Sequence, residues 1–346
     1  MSELVFQAIQ RTTEALECHV DREWILGFSG GKDSTALLKI FVSALRKVKR
    51  FPQKVSVIFC DTGVENPVID SYVKGLFCLL NSEFENLGLP IDLIMLKAPV
   101  EERYFVKVIG RGYPTPTNSF RWCTQSLRIK PVSRFIENSF ADDVVVLIGS
   151  RKAESQQRRR SIEKMGGGHW QKQVEGNRRY DLFLPILDLS LADVWDSIFL
   201  LDYPRSIDPK KLESIYKDAS GECPIIKSPD APPCASGRFG CWTCTVVRKD
   251  RSATKMIEAG HDQLLPYLEF RNWISKFRDD LDMRWLVRRN GVPRPGPFSL
   301  MGRKTILEKV RELERAVGQQ IIDDEETIEI KRLWDLDANH PQEKLC

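Results

Sequence analysis

Residues 24–40 read Trp-Ile-Leu-Gly-Phe-Ser-Gly-Gly-Lys-Asp-Ser-Thr-Ala-Leu-Leu-Lys-Ile, which is an apolar run, a polar glycine pair and a second apolar run. The first run predicts a buried strand and the second predicts a helix. Paired glycines allow backbone N–H groups to close around an anion, and the positive end of the following helix favours the same charge. The candidate phosphate-binding residues are Ser29, Gly30, Gly31, Lys32, Asp33 and Ser34. The loop is not a Walker A sequence, because Asp33 stands where that motif requires Ser or Thr.

This loop resembles the pyrophosphate loop (PP-loop) of ATP pyrophosphatases, which cleave ATP between its α and β phosphates and transfer AMP. The resemblance implies that ATP binds here and that pyrophosphate leaves toward the glycine pair. Lys32 would neutralise the charge that gathers on the departing pyrophosphate. Asp33 and Asp61 are the candidates to hold Mg²⁺ through carboxylate oxygens. For Asp33, the alternative is a carboxylate that the helix dipole alone favours.

Four further apolar runs predict strands, at Val55–Cys60, Ile91–Leu96, Val144–Ile148 and Leu182–Ile186. Helix-like segments separate them, so the predicted fold is α/β, a Rossmann-like parallel sheet with helices on both faces. In such sheets, ligands bind beyond the carboxyl ends of the strands. Asp61 and Gly149 are therefore further candidates for the ATP site, and Arg151 is a candidate catalytic residue. For Asp61, the alternative is a cap on the next helix.

The metal-ligand candidates are Cys223, Cys234, Cys241 and Cys244. One close pair joined to two single cysteines at irregular spacing favours an iron–sulfur cluster, with zinc or no metal as the alternatives. Cys123 is a possible sulfur acceptor, because the charge of the nearby Arg121 would lower its pKa; the alternative is an ordinary buried thiol.

The net charge is +4, but arginines and lysines concentrate between residues 151 and 179. Arg158, Arg159 and Arg160 are the possible DNA-binding residues, since cations that follow a strand end can contact backbone phosphates near the nucleotide. A solvated loop is the alternative for this basic segment. Stacking of bases on Trp170 or Trp242 is a further option, although burial of both rings is expected.

Two stretches, Asp61-Thr62-Gly63 and Arg121-Trp122-Cys123-Thr124, resemble phosphoadenylylsulfate (PAPS) reductases of the PP-loop superfamily. The chain lacks the Glu-Cys-Gly-Leu-His type tail of those reductases and the adjacent Cys-Cys pair of cluster-containing adenylylsulfate reductases. Residues 149–155 and the Cys-Trp-Thr-Cys segment at 241–244 more closely resemble the DndC-type sulfurtransferases of DNA phosphorothioation and their relative SspD.

The DndC-type resemblance implies an adenine nucleotide α-hydrolase-like fold and an adenylating sulfurtransferase that replaces a DNA backbone oxygen with sulfur. It implies ATP, Mg²⁺ and a 4Fe-4S cluster as cofactors. The implied partners are DNA, a cysteine desulfurase as sulfur donor and other phosphorothioation proteins of a restriction-modification system. The alternatives are a tRNA thiolation enzyme, a PAPS reductase-like sulfonucleotide enzyme and a non-catalytic nucleotide-binding subunit.

The length of 346 residues exceeds what one core usually supports. The predicted divisions are a PP-loop domain at 1–205, a cysteine-rich iron–sulfur module at 206–255 and a helical C-terminal region at 256–346. Within the last region, residues 304–320 predict an amphipathic helix, for core packing or for docking a partner. No apolar run approaches the ~20 residues that cross a bilayer, and the start does not resemble a signal peptide. A cytoplasmic enzyme without a membrane partner is expected.

Overall fold

The computed structural model describes residues 1–139, 143–175, 178–220 and 239–344. The chain divides into two compact units. Unit 1 comprises residues 1–59, 68–96 and 133–239, and unit 2 comprises residues 60–67, 97–132 and 240–346.

Six strands form one sheet, with bounds β1 (Glu23–Gly27), β2 (Lys54–Asp61), β3 (Ile91–Lys97), β4 (Val144–Leu147), β5 (Trp170–Glu175) and β6 (Arg178–Phe183). Their order across the sheet is β3-β2-β1-β4-β6-β5. β1 pairs in parallel with β2 and β4, β4 pairs in parallel with β6, and β5 pairs antiparallel with β6. The predicted α/β class, with a mostly parallel sheet flanked by helices, is confirmed.

The α-helices, in chain order, are α1 (Glu3–Cys18), α2 (Lys32–Leu45), α3 (Pro67–Asn86), α4 (Trp122–Thr124), α5 (Lys130–Ser139), α6 (Gln156–Lys164), α7 (Leu191–Leu200), α8 (Pro209–Ser220), α9 (Arg251–Glu258), α10 (Leu265–Phe277), α11 (Leu300–Val317) and α12 (Asp324–Asp337). Two π-helical turns, Val106–Gly110 and Gln125–Ile129, interrupt the regular pattern. Within the described ranges, none of the helices combines the length and the apolar character that a membrane span requires.

The central strands are buried, which explains their nearly continuous apolar sequences. All four residues of β4 and the middle residues of β1 are buried. Trp24 of β1 is fully buried, and its ring lies 6.3 Å from the rings of Phe41 in α2 and Phe183 in β6. Strands that are covered on both faces read as unbroken apolar runs, which is why the sequence reveals them.

The strand predicted at Leu182–Ile186 is shifted in the structure, where β6 ends at Phe183. Its antiparallel neighbour β5 is not predicted from the sequence. Lys172 and Val174 of β5 are exposed, and Lys172 lies opposite Asp181 of β6. A solvated edge ribbon with charged residues lacks the apolar run that indicates a buried strand.

Unit 2 has an apolar core that combines distant parts of the sequence. Phe105, Val106 and Ile109 from the first π-helical region are buried in the same cluster as Ile306 and Val310 of α11. Trp242 belongs to this cluster as well, with its ring 5.9 Å from the ring of Phe105. Residues 97–132 are therefore part of the same core as the C-terminal helices.

This division differs from the predicted one, which assigned residues 60–67 and 97–132 to the PP-loop domain and separated a cysteine module from the C-terminal helices. The structure places residues 240–255 in unit 2 together with those helices. Burial of the aromatic side chains near residues 104–109 requires the apolar faces of α10 and α11, which follow more than a hundred residues later. Sequence proximity does not reveal such a long-range core.

Helix α11 packs its apolar stripe into unit 2, as the core-packing alternative predicts. Ser299 caps the first turn by accepting the Gly302 N–H at 3.2 Å, and Gly318 ends the helix with φ +65°. The fully buried Arg303 of α11 donates to Asp337 at 3.0 Å and to Glu343 at 2.8 Å. This network ties α11 to the end of α12 and to the chain that follows it.

Candidate functional site

The predicted phosphate loop lies in unit 1, between the end of β1 and the first turn of α2. Gly30 has φ +72°, a conformation that only glycine adopts without strain, and a Cβ here would collide with Val73 of α3. Gly31 is the residue before the first turn of α2, so the N–H groups of that turn face the loop. The structure thus brings together the strand end, the glycine pair and the helix start.

Hydrogen bonds between the two loop serines fix the shape of this turn. The Ser29 N–H donates to Ser34 Oγ at 3.2 Å, and Ser34 Oγ donates to the Gly31 carbonyl at 2.9 Å. The two serine oxygens are 3.1 Å apart. Ser34 therefore closes the loop from inside, which leaves binding of an anion to the backbone N–H groups.

Asp33 joins two cations behind the loop. Its Oδ1 accepts from Arg151 Nε at 2.6 Å, and its Oδ2 accepts from Lys32 Nζ at 3.0 Å. Burial alone would raise the pKa of Asp33, but Lys32 and Arg151 outweigh it and hold the pKa below its usual value. The carboxylate is thus held ionised, and it positions Lys32 at the loop.

Arg151 is buried and reaches this place from the segment that follows β4. Besides its bond to Asp33, it donates from Nη1 to the Leu189 carbonyl at 3.1 Å. Lys32, Asp33 and Arg151 are the predicted catalytic residues, and the structure brings all three together. Because both oxygens of Asp33 already accept from cations, the arrangement does not favour direct coordination of Mg²⁺ by this carboxylate.

Gly149 allows two backbone segments to approach closely. A Cβ on Gly149 would lie 3.0 Å from the carbonyl carbon and oxygen of Asp33 and 3.1 Å from the Ser34 nitrogen. These are backbone atoms, which cannot turn aside as a long side chain can. Gly149, which the sequence proposed for the ATP site, therefore lies against the start of α2.

Asp61, the other predicted Mg²⁺ and ATP residue, ends β2 and belongs to unit 2. Its Oδ1 accepts the Gly63 N–H at 2.9 Å, and Gly63 has φ +69°. The carboxylate stabilises a tight turn, and α3 begins later, at Pro67. The structure therefore shows a turn contact for Asp61, and the roles in binding ATP and Mg²⁺ stay predictions.

Three cysteines of unit 2 form a second candidate site, which we call the thiol cluster: Cys123, Cys241 and Cys244. The Cys244 N–H donates to the Cys241 carbonyl at 2.9 Å, which makes a tight turn of the Cys-X-X-Cys segment. Burial raises the pKa of Cys241 to about 12, and charges on Glu65, Cys244 and Cys123 act in the same direction. Cys123 is therefore a neighbour of the predicted ligands, a position that the sequence did not indicate.

Cys223 and Cys234, the other two predicted metal ligands, lie outside the described residues. Within the described part of the chain, no three His, Cys, Asp or Glu side chains stand in a metal-binding arrangement. The thiol cluster therefore brings soft donors together without holding them at ligand geometry.

The expected cause of Cys123 reactivity is wrong. Burial raises the pKa of Cys123, and a charge on Cys244 raises it further. The Arg121 guanidinium, which was expected to lower this pKa, donates to Asn118 Oδ1 at 3.1 Å. A role of Cys123 as sulfur acceptor stays a prediction, but Arg121 does not activate it.

Arg128 supplies the positive charge beside the thiol cluster. It pairs with Glu65 at 2.6 Å and is a hydrogen-bond partner of Cys241, an arrangement that keeps the guanidinium charged. Tyr104 is buried next to the same thiols, and its ring stacks on Trp122 at 5.5 Å. Sequence reasoning gave no role to Glu65 or Tyr104, because their closeness to residues 241–244 depends on the long-range core of unit 2.

The predicted DNA-binding arginines lie on α6, a helix that Ser155 caps by accepting the Arg158 N–H at 3.1 Å. Arg158, Arg159 and Arg160 are all exposed, and Arg158 pairs with Glu154 at 3.1 Å. Trp170 is 38% exposed and stacks on Phe183, contrary to the expected burial. Trp242 is buried as expected.

The strand, glycine loop and helix of unit 1 define a nucleotide-binding α/β domain of the PP-loop type. A profile of the phosphoadenosine phosphosulfate reductase domain matches residues 23–246. The chain belongs to this family. It is 31% identical over 262 residues to an uncharacterised protein of Methanocaldococcus jannaschii, a match that covers 73% of this chain and 44% of that protein. The chain therefore spans less than half the length of this relative.

Three solved structures are among those to which the chain is similar. The Candida glabrata FMN adenylyltransferase with FMN and AMPCPP has a TM-score of 0.39 and 15% identity, covering 66% of this chain and 70% of that chain. The phosphate complex of Candida auris PAPS reductase has a TM-score of 0.36 and 15% identity, covering 63% and 94%. The U34-tRNA thiolase NcsA of Methanococcus maripaludis, with its 4Fe-4S cluster, has a TM-score of 0.34 and 15% identity, covering 79% and 78%.

The close approach at Gly149 predicts that Gly149→Ala destabilises unit 1. The added methyl group would press on the backbone of Asp33 and Ser34, and such overpacking costs about 1–3 kcal/mol. Gly75→Ala is the matched control, because nothing lies within 4 Å of a Cβ at this exposed site in α3. Urea unfolding should show a lower midpoint for Gly149→Ala and an equal or higher midpoint for Gly75→Ala. A Gly149→Ala midpoint equal to that of the wild type would contradict the proposed contact.

Proposed function

We propose that this protein is an ATP pyrophosphatase that adenylates a DNA backbone phosphate and assists its replacement by sulfur. The observation that carries the proposal is the arrangement around Asp33, which holds Lys32 at the glycine loop where we propose that pyrophosphate binds. Membership of the PAPS reductase domain family supports a reaction on a nucleotide. The DndC-type resemblance of residues 149–155 and 241–244 supports sulfur transfer to DNA.

Adenylation turns a phosphate oxygen into a leaving group. An oxygen of the DNA phosphate attacks the α-phosphorus of ATP, the bond to the bridging α–β oxygen breaks, and pyrophosphate leaves. Lys32 and the first-turn N–H groups of α2 stabilise the negative charge that moves onto the pyrophosphate. A sulfur nucleophile at the oxidation level of hydrosulfide then attacks the activated phosphorus, and AMP leaves with the original oxygen. We propose that Mg²⁺ enters as part of the ATP substrate.

The thiol cluster is the proposed place for a 4Fe-4S cofactor. Its soft, half-buried sulfur donors match iron–sulfur chemistry, and Arg128 beside Cys241 would offset the negative charge of thiolate ligands. Cys123, Cys241 and Cys244 would hold the group, with Cys223 or Cys234 as a further ligand from outside the described residues. When bound, the cluster would supply a site that can carry sulfide.

The exposed arginines of α6 are proposed to bind the DNA backbone. Their charges lie on a short helix that begins five residues after Arg151, and Arg151 contacts the phosphate loop through Asp33. Helix α6, Arg151 and Asp33 all belong to unit 1. DNA phosphates bound by these arginines would thus be held near the ATP site, as adenylation requires. The cysteine desulfurase and the other phosphorothioation proteins are proposed partners on the DndC-type resemblance.

We expect Lys32→Ala to lower the rate of pyrophosphate release in the presence of ATP, DNA and sulfide. Loss of one group that stabilises developing charge lowers a rate by about 10²–10³-fold. Lys331→Ala, at an exposed lysine of α12, is the matched control and should leave the rate unchanged. Iron content and visible absorbance should be the same in both variants. Unchanged pyrophosphate release by Lys32→Ala would refute the role of this residue.

We expect Cys123→Ser, Cys241→Ser and Cys244→Ser each to lower the iron and acid-labile sulfide content after anaerobic purification. A thiolate ligand is lost in each, whereas Cys78→Ser removes an exposed thiol of α3 and should keep full iron content. The measurement is metal analysis with a visible spectrum. Zinc without iron in the wild type would instead indicate a structural zinc site.

We expect the triple change of Arg158, Arg159 and Arg160 to Gln to weaken DNA binding and to flatten its salt dependence. Each phosphate contact contributes about 0.7–0.9 to the slope of log K against log salt, so the slope should fall by about 2. The control replaces three exposed cations of α11 and α12, Lys304, Arg315 and Lys331, with Gln. Fluorescence anisotropy over a salt series provides the measurement. An unaltered slope would show that these three arginines do not contact DNA phosphates. Sulfur found in tRNA rather than in DNA after expression would overturn DNA as the proposed substrate.

A further inference from the structure

A tyrosine of α8 contacts the phosphate loop from a distant part of the sequence. The Lys32 backbone N–H donates to the Tyr216 hydroxyl oxygen at 3.0 Å, although the two residues are 184 positions apart. Tyr216 is buried, and both residues belong to unit 1. The Tyr216 hydroxyl therefore contacts the phosphate loop directly, at the backbone of Lys32.

The Tyr216 side chain lies along the part of the loop where a pyrophosphate would bind. A Cβ on Gly31 would be 3.0 Å from the Tyr216 hydroxyl oxygen, so glycine leaves the space that this oxygen uses. The Lys32 Nζ lies 5.2 Å from the centre of the Tyr216 ring. Both the backbone and the charged end of Lys32 are thus next to this tyrosine.

The first-turn N–H groups of a helix are the groups that bind a phosphate at its N-terminus. Lys32 is the first residue of α2, and its N–H is donated to Tyr216. One N–H makes one strong, nearly linear hydrogen bond. A phosphate oxygen that takes this N–H must therefore displace the tyrosine hydroxyl.

We propose that Tyr216 is a positioning residue that competes with the pyrophosphate part of ATP for the Lys32 amide. The inference rests on the proposed function, because it assumes that this loop binds pyrophosphate. Tyr216 holds the amide in its binding orientation until a phosphate oxygen replaces the hydroxyl. This competition lowers the affinity of the loop for the nucleotide and for pyrophosphate, and thereby favours release of the pyrophosphate product.

A second tyrosine provides an alternative partner for the displaced hydroxyl. Tyr72 of α3 is 7% exposed, and its hydroxyl has no hydrogen-bond partner within the part of the chain that the structure describes. Burial raises the pKa of Tyr72, and charges on Asp208 and Tyr216 raise it further, so Tyr216 lies within electrostatic range of the Tyr72 hydroxyl. A buried hydroxyl without a partner is unfavourable, so a bond to the displaced Tyr216 would offset part of the displacement cost.

The Tyr216 ring is held by packing that does not need the hydroxyl. Its edge contacts Trp195 with ring centres 5.6 Å apart and Phe239 with ring centres 4.8 Å apart. Tyr216→Phe therefore removes the competing oxygen and keeps the ring contacts. Tyr72→Phe is the matched control, because it removes a neighbouring buried hydroxyl and leaves the bond to Lys32 in place.

The test measures binding of inorganic pyrophosphate and of AMPCPP to the full chain by isothermal titration calorimetry. Tyr216→Phe should bind both ligands about three- to tenfold more tightly than the wild type, the value of one ordinary hydrogen bond. Tyr72→Phe should not bind either ligand more tightly, because it removes the partner proposed for the displaced hydroxyl and keeps the bond between Tyr216 and Lys32. In hydrogen exchange without ligand, the Lys32 amide should exchange faster in Tyr216→Phe, and pyrophosphate should restore its protection.

Equal or weaker binding by Tyr216→Phe would overturn this inference while leaving the proposed function intact. Tighter binding together with faster exchange at Lys32 supports it. If the wild type bound neither pyrophosphate nor AMPCPP, the proposed function would fail and this inference with it.

Discussion

The ion pair between the half-buried Asp33 and the buried Arg151 is the interaction on which the candidate site depends. It joins the start of α2 to the segment after β4 across 118 positions of sequence, at 2.6 Å. Taking two charges out of water is costly, and loss of either partner would leave the other charge uncompensated. The pair is satisfied by Lys32 on one side and the Leu189 carbonyl on the other. Gly149 permits the approach, because a side chain there would meet the backbone of Asp33.

The same ion pair fixes the geometry of the short glycine loop at which we propose that ATP binds. Ser34 fixes the turn from inside, Gly30 takes a backbone conformation closed to other residues, and Asp33 keeps Lys32 at the loop. In the proposed function, the N–H groups of the first helical turn bind the pyrophosphate, and Tyr216 is the competing acceptor on one of them. In unit 2, the half-buried thiols of the thiol cluster lie beside the charge of Arg128. The proposed phosphate donors thus belong to unit 1, and the proposed soft-metal ligands belong to unit 2.

Those features that depend on local sequence were predictable. Largely apolar runs revealed β1, β2, β3 and β4, and the glycine pair between a strand and a helix revealed the tight loop that joins β1 to α2. The stripe of Ile306, Val310 and Leu313 revealed α11 and its packing into a core. In each case the sequence pattern and the element that it predicts cover the same few residues, so the local sequence is enough to predict the element.

Contacts between distant segments were not predictable. The β5–β6 ribbon carries exposed charges, and β5 lacks an apolar run. Residues 97–132 pack into the core of unit 2 with the C-terminal helices, and Tyr216 of α8 contacts Lys32. Cys123 is a neighbour of Cys241 only because that long-range core forms. A crystal structure with AMPCPP and Mg²⁺ tests most directly whether the glycine loop binds the triphosphate. We predict the β and γ phosphates on the N–H groups of residues 30–34, with Lys32 Nζ beside them; a triphosphate bound elsewhere, with this loop unliganded, would rule out the proposed role of the loop.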